Sequence, residues 1–400
     1  MALDYDTTST VAAREALLND PDFLRELVEV ALQRFLDAEM TEHLQAAPHE
    51  RSNSRQGYRN GYRRRQLKTR VGTLELAVPV DRDGTFRTEL FERYQRSEKA
   101  LVSTLMQMYL EGVSTRKVRD VTETLCGTSF SRSTVSSLVS SLDADLAAWR
   151  ERPLGELAYP FVLVDATYQH VRVAGQVVSQ AALIVMGVRE DGKREILAVT
   201  VTGRESGPDY EDLFRSLRAR GLRGVRLLVS DDHAGLRAAI QRAFPGAAWQ
   251  RCQVHFQRNL AARVARKHRA ALMADVRAAF QAPTPDMARA LAFQVAERWR
   301  TTHPKVAELL EDGIDPCLNV YALPPHHRSR LRTTNALERL HQEIKRRTRV
   351  VRIFPNPDSC LRLITSLCME HSEEWLAGRC YLGPAVLDDT TQPEQEVFAA

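Results

Sequence analysis

The sequence predicts an α/β protein whose sheet-bearing core carries an all-helical insertion and is preceded by a helical region. Three observations carry that reading. At residue 160 the apolar spacing changes from helical to strand-like. From there three strands are followed by helix, strand, helix and strand, and residues 256–312 then show helical spacing with no strand pattern. That element order is the order of an RNase H-like core. A chain of 400 residues also exceeds one core of ordinary size, so two or three domains are expected.

Taken in order, residues 11–46 read as helix, with AREALLND and DFLRELVEVALQRFLDAEMTEHLQ placing apolar residues at helical spacing. Residues 47–70 change character: eight basic residues and no acidic one lie between Arg51 and Arg70, interleaved with Tyr58, Tyr62 and two glycines. Strand-like pieces TLELAVPV and TFRTELF follow, with a turn at Asp83-Gly84. Residues 98–150 return to helix as EKALVSTLMQMYLEG, STRKVRDVTETL and SRSTVSSLVSSLDADLAAWRE, the last two starting at the cap-forming Ser114 and Ser131. Three helices with a short CGTSF turn outline a helix-turn-helix, although capped helical hairpins without a DNA role share the pattern.

The core strands are YPFVLVDATYQHVRV, GQVVSQAALIVMGVRE and KREILAVTVTG, the last two joined by a DGK turn that implies antiparallel pairing. The helix DYEDLFRSLRARG, the buried strand VRLLVSD, the helix HAGLRAAIQRAF and the strand-like AAWQRCQVH complete it. After the helical stretch and the loop LPPHHRSRLR comes the helix TNALERLHQEIKRRTR. The end, YLGPAVLDDTTQPEQEVFAA, holds four acidic and no basic residues and reads as a disordered tail. The segments are therefore 1–97 (N-terminal helical and basic), 98–155 (helix-turn-helix-like), 156–256 (first part of the core), 257–328 (all-helical insertion), 329–380 (C-terminal helices of the core) and 381–400 (acidic tail).

Composition narrows the function classes. The longest apolar run, around Ala181 to Val188, is too short to span a bilayer, and the first residues lack the basic and apolar regions of a signal peptide. Six scattered cysteines with no CxxC pair make no disulfide framework, so a reducing, cytoplasmic setting is expected. The net charge of +5 is modest, but only seven of the 56 basic residues are Lys. The planar Arg fork suits phosphate oxygens, and a high-GC genome accounts for the same bias equally well.

Three carboxylates stand out. Asp165 closes the apolar run FVLVD and Asp231 closes VRLLVSD. Two carboxylates buried side by side repel unless a cation lies between them, so they either hold raised pKa values or bind metal. Each alone is equally a strand-end cap. Glu338 lies in the late helix, where Asn335, Glu338, Gln342 and Lys345 recur at helical spacing. Together the three make an oxygen site for Mg²⁺ or Mn²⁺, two ions of which activate an attacking oxygen and stabilise a leaving one in phosphoryl transfer. Cys252 and His255 form a CxxH pair, but His268 and His303 are isolated and no second pair completes a zinc site. The preferred reading is that both fasten the last core strand near the carboxylates, with His255 turned toward DNA. The basic helix after Glu338, with Arg339, Lys345, Arg346, Arg347 and Arg349, reads either as a solvated stripe or as a phosphate grip. Arg59, Arg63, Arg64 and Arg65 of the early tract belong either to an arm on DNA or to a basic linker, and Arg132 to the reading helix.

Eight motifs in order, RNGYRRRQLKTRVGTLEL, YLEGVSTRKV, GTSFSRSTVS, VDATY, GRESGPDYEDLFRSLRARGL, VSDDHAGL, WQRCQVHFQRN and RTTNALERLHQEIKRRTRVVRIFPN, resemble the Mutator-type transposases of bacterial insertion sequences. The resemblance runs from about residue 10 to residue 375. It implies an RNase H-like core with a DDE triad on Asp165, Asp231 and Glu338, preferring Asp231 to its neighbour Asp232, and a Cys-x-x-His signature near the active site. Where the family reads Pro-Arg-Asp, this chain has Pro79-Val80-Asp81, which removes one basic side chain without touching the catalytic motifs. The expected function is metal-dependent cleavage and strand transfer at terminal inverted repeats. The expected partners are double-stranded DNA and a second subunit, with nucleoid association and no membrane. The alternatives are an RNase H-like nuclease without strand transfer and a domesticated DNA-binding regulator.

Overall fold

The computed structural model describes residues 22–51, 53–90, 99–111, 113–126 and 130–383. The expected helix start at residue 11, most of the CGTSF turn, the side chain of Arg132 and the tail beyond 383 lie outside the described residues. The chain forms two compact units, the first ending at Val139 and the second beginning at Ser140.

In the first unit α1 (Phe23–Leu44) packs against a hairpin of β1 (Arg59–Thr69) and β2 (Gly72–Asp81). Leu36 meets Leu67, Leu74 and Leu76 in a small core, and the Gln33 amide both donates to the Ala77 carbonyl (2.8 Å) and accepts from its N–H (2.9 Å). From Arg59 onward the basic tract is a strand, paired Arg63 to Val78 and Arg65 to Leu76, and so not an unstructured linker. TFRTELF, expected as a strand, is not one over residues 85–90, and Phe91 lies outside the described residues. The Asp81 carboxylate accepts from the backbone of Thr85 and Phe86, and Glu39 of α1 accepts from Glu89 N–H, so side chains pin this segment instead of a strand partner. The helices α2 (Lys99–Leu110), α3 (Thr115–Cys126) and α4 (Arg132–Ser140) share a core of Leu101, Leu105, Val118, Phe130, Val135 and Val139. Ser114 and Ser131 do accept backbone N–H groups three residues on, from Lys117 and Thr134.

The helix expected over 131–151 is two helices. After a turn at Ser141-Leu142, α5 (Asp143–Glu151) belongs to the second unit, where Asp143 accepts a two-pronged ion pair from Arg362 (2.6 and 2.7 Å). No Gly or Pro marks the break; tertiary packing makes it. The division at Val139 therefore runs through the 98–155 segment.

The second unit is built on a five-stranded mixed sheet of order β5-β4-β3-β6-β7. Its strands are β3 (Phe161–Val173), β4 (Gln176–Val188), β5 (Arg194–Thr202), β6 (Leu227–Ser230) and β7 (Ala248–Arg251). β3, β4 and β5 pair antiparallel, whereas β6 and β7 run parallel to β3. Ala174 and Gly175, both at positive φ, make the two-residue turn that matches strand twist between β3 and β4. Between the parallel strands lie α6 (Gly207–Ala219) and α7 (Ala234–Ala243). They bury Tyr210, Phe214, Leu236 and Ile240 on the sheet face that carries Val162, Val164 and Leu228. A Cβ on Gly235 would come within 2.8 Å of the Gly207 nitrogen, so the two helix starts meet only because residue 235 is glycine.

Helices α8 (Gln253–Ala262), α9 (Arg266–Phe280), α10 (Pro285–Arg300) and α11 (Pro304–Gly313) bury their own core around Phe256, Leu272, Trp299 and Leu310. The stretch expected as a loop contains α12 (Pro325–Leu331), whose Arg328 binds the carbonyls of Tyr321 and Leu323 just before it. α13 (Asn335–Val351) and α14 (Pro357–Ala377) complete the unit and pack against β3.

Candidate active site

Strand register brings the two aspartates together. β3 and β6 pair in parallel from Phe161–Leu227 to Leu163–Val229, and two residues further on stand Asp165 and Asp231. Residues two apart on a strand share a face, so Asp165 follows Leu163 onto the side opposite α6 and α7, and Asp231 stands one residue past the end of β6, in electrostatic reach of it. Asp165 is not at a strand end: β3 continues to Val173, and only its pairing with β6 stops at Leu163.

Asp165 is 9% exposed, accepts Ala166 N–H at 3.0 Å, and lies 3.5 Å from His341 Nδ1. Burial pushes its pKa up to about 7; His255 opposes that, while Asp231 and Glu338 add to it. Burial and the nearby Glu205 likewise raise Asp231 above the usual carboxylate range. Asp232 differs: Arg251 (3.1 Å) and Arg237 (3.3 Å) pair with it.

Glu338 sits in the first turn of α13, a helix tied down at both ends. Cys252 caps the start of α8; its backbone N–H binds the Ser230 carbonyl at the end of β6, and its sulfur accepts Thr334 N–H (3.3 Å). The Thr334 carbonyl in turn accepts Glu338 N–H. At the far end Phe354 bridges to β3 through His170 and Arg172. Cys252 and His255 therefore belong to a helix start, not to the last core strand, and the cysteine links β6 to the helix of Glu338. His255 Nε2 lies 3.5 Å from Glu338, and Arg258, one turn along α8, grips both carboxylate oxygens at 2.6 and 2.9 Å. The neighbouring Cys252, then Asp165 and Glu338, push His255 up to about 9 against its burial. Among the described residues, no three histidine, cysteine or carboxylate side chains are gathered closely enough to hold an ion as they stand. The donors nevertheless suit a hard divalent cation: two carboxylates are buried with raised pKa values, and a third is in electrostatic reach.

The remaining predicted residues divide. Asn335, Gln342, Lys345 and Arg349 are exposed on the Glu338 face of α13, and Arg339 and Arg346 are exposed beside it. Arg347 is buried instead and pairs with Glu343 (2.7 Å) and Glu370 (3.6 Å), so it joins α13 to α14. Arg63 and Arg64 are exposed on β1, Arg65 is half-buried, and Arg59 turns inward to Thr41 (2.6 Å). His268 and His303 stack on each other and on Trp299 in the helical insertion. Sequence reasoning missed His341, Arg258 and Glu205. His341 follows Glu338, and Arg258 follows His255, at a spacing of three, the one signal that would have set each beside a predicted residue.

The chain matches the family model described as Transposase, Mutator family, over residues 3–378. It is 48% identical over 375 residues to the transposase of insertion sequence element ISRM5 from Rhizobium meliloti, covering 94% of each chain. It is 42% identical to that of IS406 from Burkholderia multivorans (96% of this chain, 99% of the relative). It is 39% identical to that of IS256 in transposon Tn4001 from Staphylococcus aureus (89% and 91%). Among solved structures, the Drosophila P element transposase strand transfer complex aligns over 77% of this chain and 86% of that one. Its 10% identity and TM-score of 0.29 make that likeness too weak to bear on the fold.

Proposed function

The chain belongs to the Mutator family of transposases, and from that premise we propose that it cuts DNA at the terminal inverted repeats of an insertion sequence and joins the freed end to target DNA. The observation that carries the proposal is the β3–β6 register, which ends two residues before both Asp165 and Asp231 and leaves them in electrostatic reach of each other and of Glu338, on a helix packed against β3. We read the βββαβαβ order as an RNase H-like core, the carboxylates as its DDE triad, and 257–328 as a helical insertion that orders DNA ends or subunits.

Asp165, Asp231 and Glu338 would hold divalent ions, Mg²⁺ or Mn²⁺, which when bound supply Lewis-acid activation of the attacking oxygen and charge neutralisation of the leaving one. The protein's own part is positioning. β3 and β6 fix the two aspartates, and the Cys252–Thr334 contact fixes the start of α13, so the three carboxylates are carried on rigid elements. We read Asp231 and not Asp232 as the ligand, because Asp231 lies in electrostatic reach of Asp165, whereas Asp232 is drawn to Arg237 and Arg251. Asn335, Gln342, Lys345 and Arg349, with Arg339 beside them, form a polar stripe that would follow the DNA backbone next to the cut. Arg63 and Arg64 would contact phosphates from the hairpin, and α2 to α4 would read the repeat. Pairing two element ends calls for a homodimer on DNA.

The test is incubation of the purified chain and Mg²⁺ with DNA carrying the flanking repeats, followed by mapping of nicks and, with pre-cut ends, of joined products. Nicks at the element ends and strand transfer are expected. Cleavage without joining would reduce the reading to a nuclease, and binding without cleavage to a regulator.

A further inference from the structure

We propose that Arg258 occupies the cation position on Glu338 in the DNA-free chain, so that a divalent ion enters only by displacing it. The inference rests on the reading of Glu338 as a metal ligand. Four observations support it. The Arg258 guanidinium takes both Glu338 oxygens, Nη1 on Oε1 at 2.6 Å and Nη2 on Oε2 at 2.9 Å. A fork of that kind uses the in-plane lone pairs that would point at a metal. Glu338 is only 19% exposed, and His255 Nε2 also lies 3.5 Å from Oε1, so little of the carboxylate remains for another ligand.

Among the described residues, Asp165 and Asp231, by contrast, have no guanidinium on them: Asp165 has His341 at 3.5 Å, and Arg237 and Arg251 pair with Asp232. The guanidinium contact of the site thus falls, among the described residues, on Glu338 alone of the three carboxylates. Glu338 is held from α8, by both Arg258 and His255. Finally, Arg258 is 58% exposed, and an exposed ion pair resists displacement weakly. The guanidinium can therefore swing into solvent or onto a DNA phosphate without opening the core. Arg258 acts as a positioning residue whose hold on Glu338 keeps the metal site incomplete until an ion is taken up.

The test is Mn²⁺ binding to the full chain without DNA, followed by the electron paramagnetic resonance of free Mn²⁺. Four proteins are compared: wild type, Arg258→Ala, Glu338→Gln and the double variant, each checked for an unchanged circular dichroism spectrum. Arg258→Ala is expected to bind Mn²⁺ about three- to tenfold more tightly than wild type. Glu338→Gln is expected to bind more weakly, and the Arg258 substitution to be silent in its background. Unchanged or weaker binding by Arg258→Ala, with Glu338→Gln still impaired, overturns the proposal while leaving the metal site standing. Unaltered binding by Glu338→Gln overturns the metal-site reading itself, and this proposal with it.

Discussion

Two regions of the chain concentrate like charges and treat them in opposite ways. On the sheet of the second unit, Asp165 is nearly buried and Asp231 half-buried within electrostatic reach of it, and desolvation raises both pKa values. On the hairpin of the first unit, Arg63 and Arg64 stand exposed on β1. Like charges in water cost little, whereas like charges out of water are tolerated only where the fold forces them together. The difference teaches what each region is built for. The aspartates form a fixed arrangement suited to a cation, and the arginines form an adaptable surface whose contributions to binding add.

The sharpest way to break this contrast is to neutralise one member of each region. Asp165→Asn and Asp231→Asn should each lower cleavage by about a thousandfold or more while leaving DNA affinity nearly unchanged. Arg63→Ala and Arg64→Ala should do the reverse, lowering affinity and sparing the rate at saturating DNA. Gel-resolved cleavage and a binding titration at one fixed salt concentration give both readouts. Retained cleavage by Asp231→Asn would sink the triad assignment.

A second prediction sharpens the cost of burial. The folded pKa of Asp165, about 7, lies above its unfolded value of about 4. The folded chain therefore binds this proton more tightly, and its stability falls as pH rises between those two values. His341 opposes this trend, since burial lowers its pKa to about 4 and it destabilises the fold as pH drops from about 6.5. The comparison is therefore Asp165→Asn against wild type, in which the histidine largely cancels. Without metal, the variant should match wild type near pH 4 and gain on the order of 1–4 kcal/mol by pH 8. Urea unfolding across that range decides it; an advantage that shrinks as pH rises would contradict the burial argument.

The same contrast explains what the sequence made legible. Strands β3 to β7 could be read because apolar runs and a DGK turn announce them, and Asp165 and Asp231 because each ends such a run. β1 could not. Of its eleven residues only Leu67 and Thr69 are fully buried, so no alternation shows through the arginines. The break between α4 and α5 was hidden for another reason: Ser141-Leu142 is no breaker, and the pairing of Asp143 with Arg362 comes from residues more than 200 positions apart. Within the site, Arg258 and His341 are polar residues on helices of ordinary pattern. Only tertiary packing turns them toward the carboxylates.

α13 offers a third and smaller test, because it holds both kinds of charge on one helix. Arg347 is buried between Glu343 and Glu370, whereas Arg349 is exposed. Arg347→Ala should cost about 1–3 kcal/mol, since it removes a buried guanidinium together with its bonds to Glu370 and to Glu343, which Arg346 still holds. Arg349→Ala should stay within about 0.5 kcal/mol of wild type and lower DNA affinity instead. Chemical denaturation and a binding titration separate the two, and equal stability losses would erase the division drawn along this helix.

The smallest effect belongs to the hairpin itself. A phosphate contact releases counterions, so its loss changes the salt dependence of binding more tellingly than the affinity at any one salt concentration. Arg63→Ala and Arg64→Ala should each reduce the slope of log affinity against log salt by about one, equally for specific and unrelated DNA. Neither should change stability by more than about 0.5 kcal/mol, because neither side chain is buried. Arg59→Ala is the internal control: its guanidinium reaches Thr41 of α1, so it should lower stability and leave the slope alone. If Arg59 and Arg63 changed the slope alike, β1 would be acting as an unstructured basic segment, and its contrast with the fixed aspartates would fail at the hairpin.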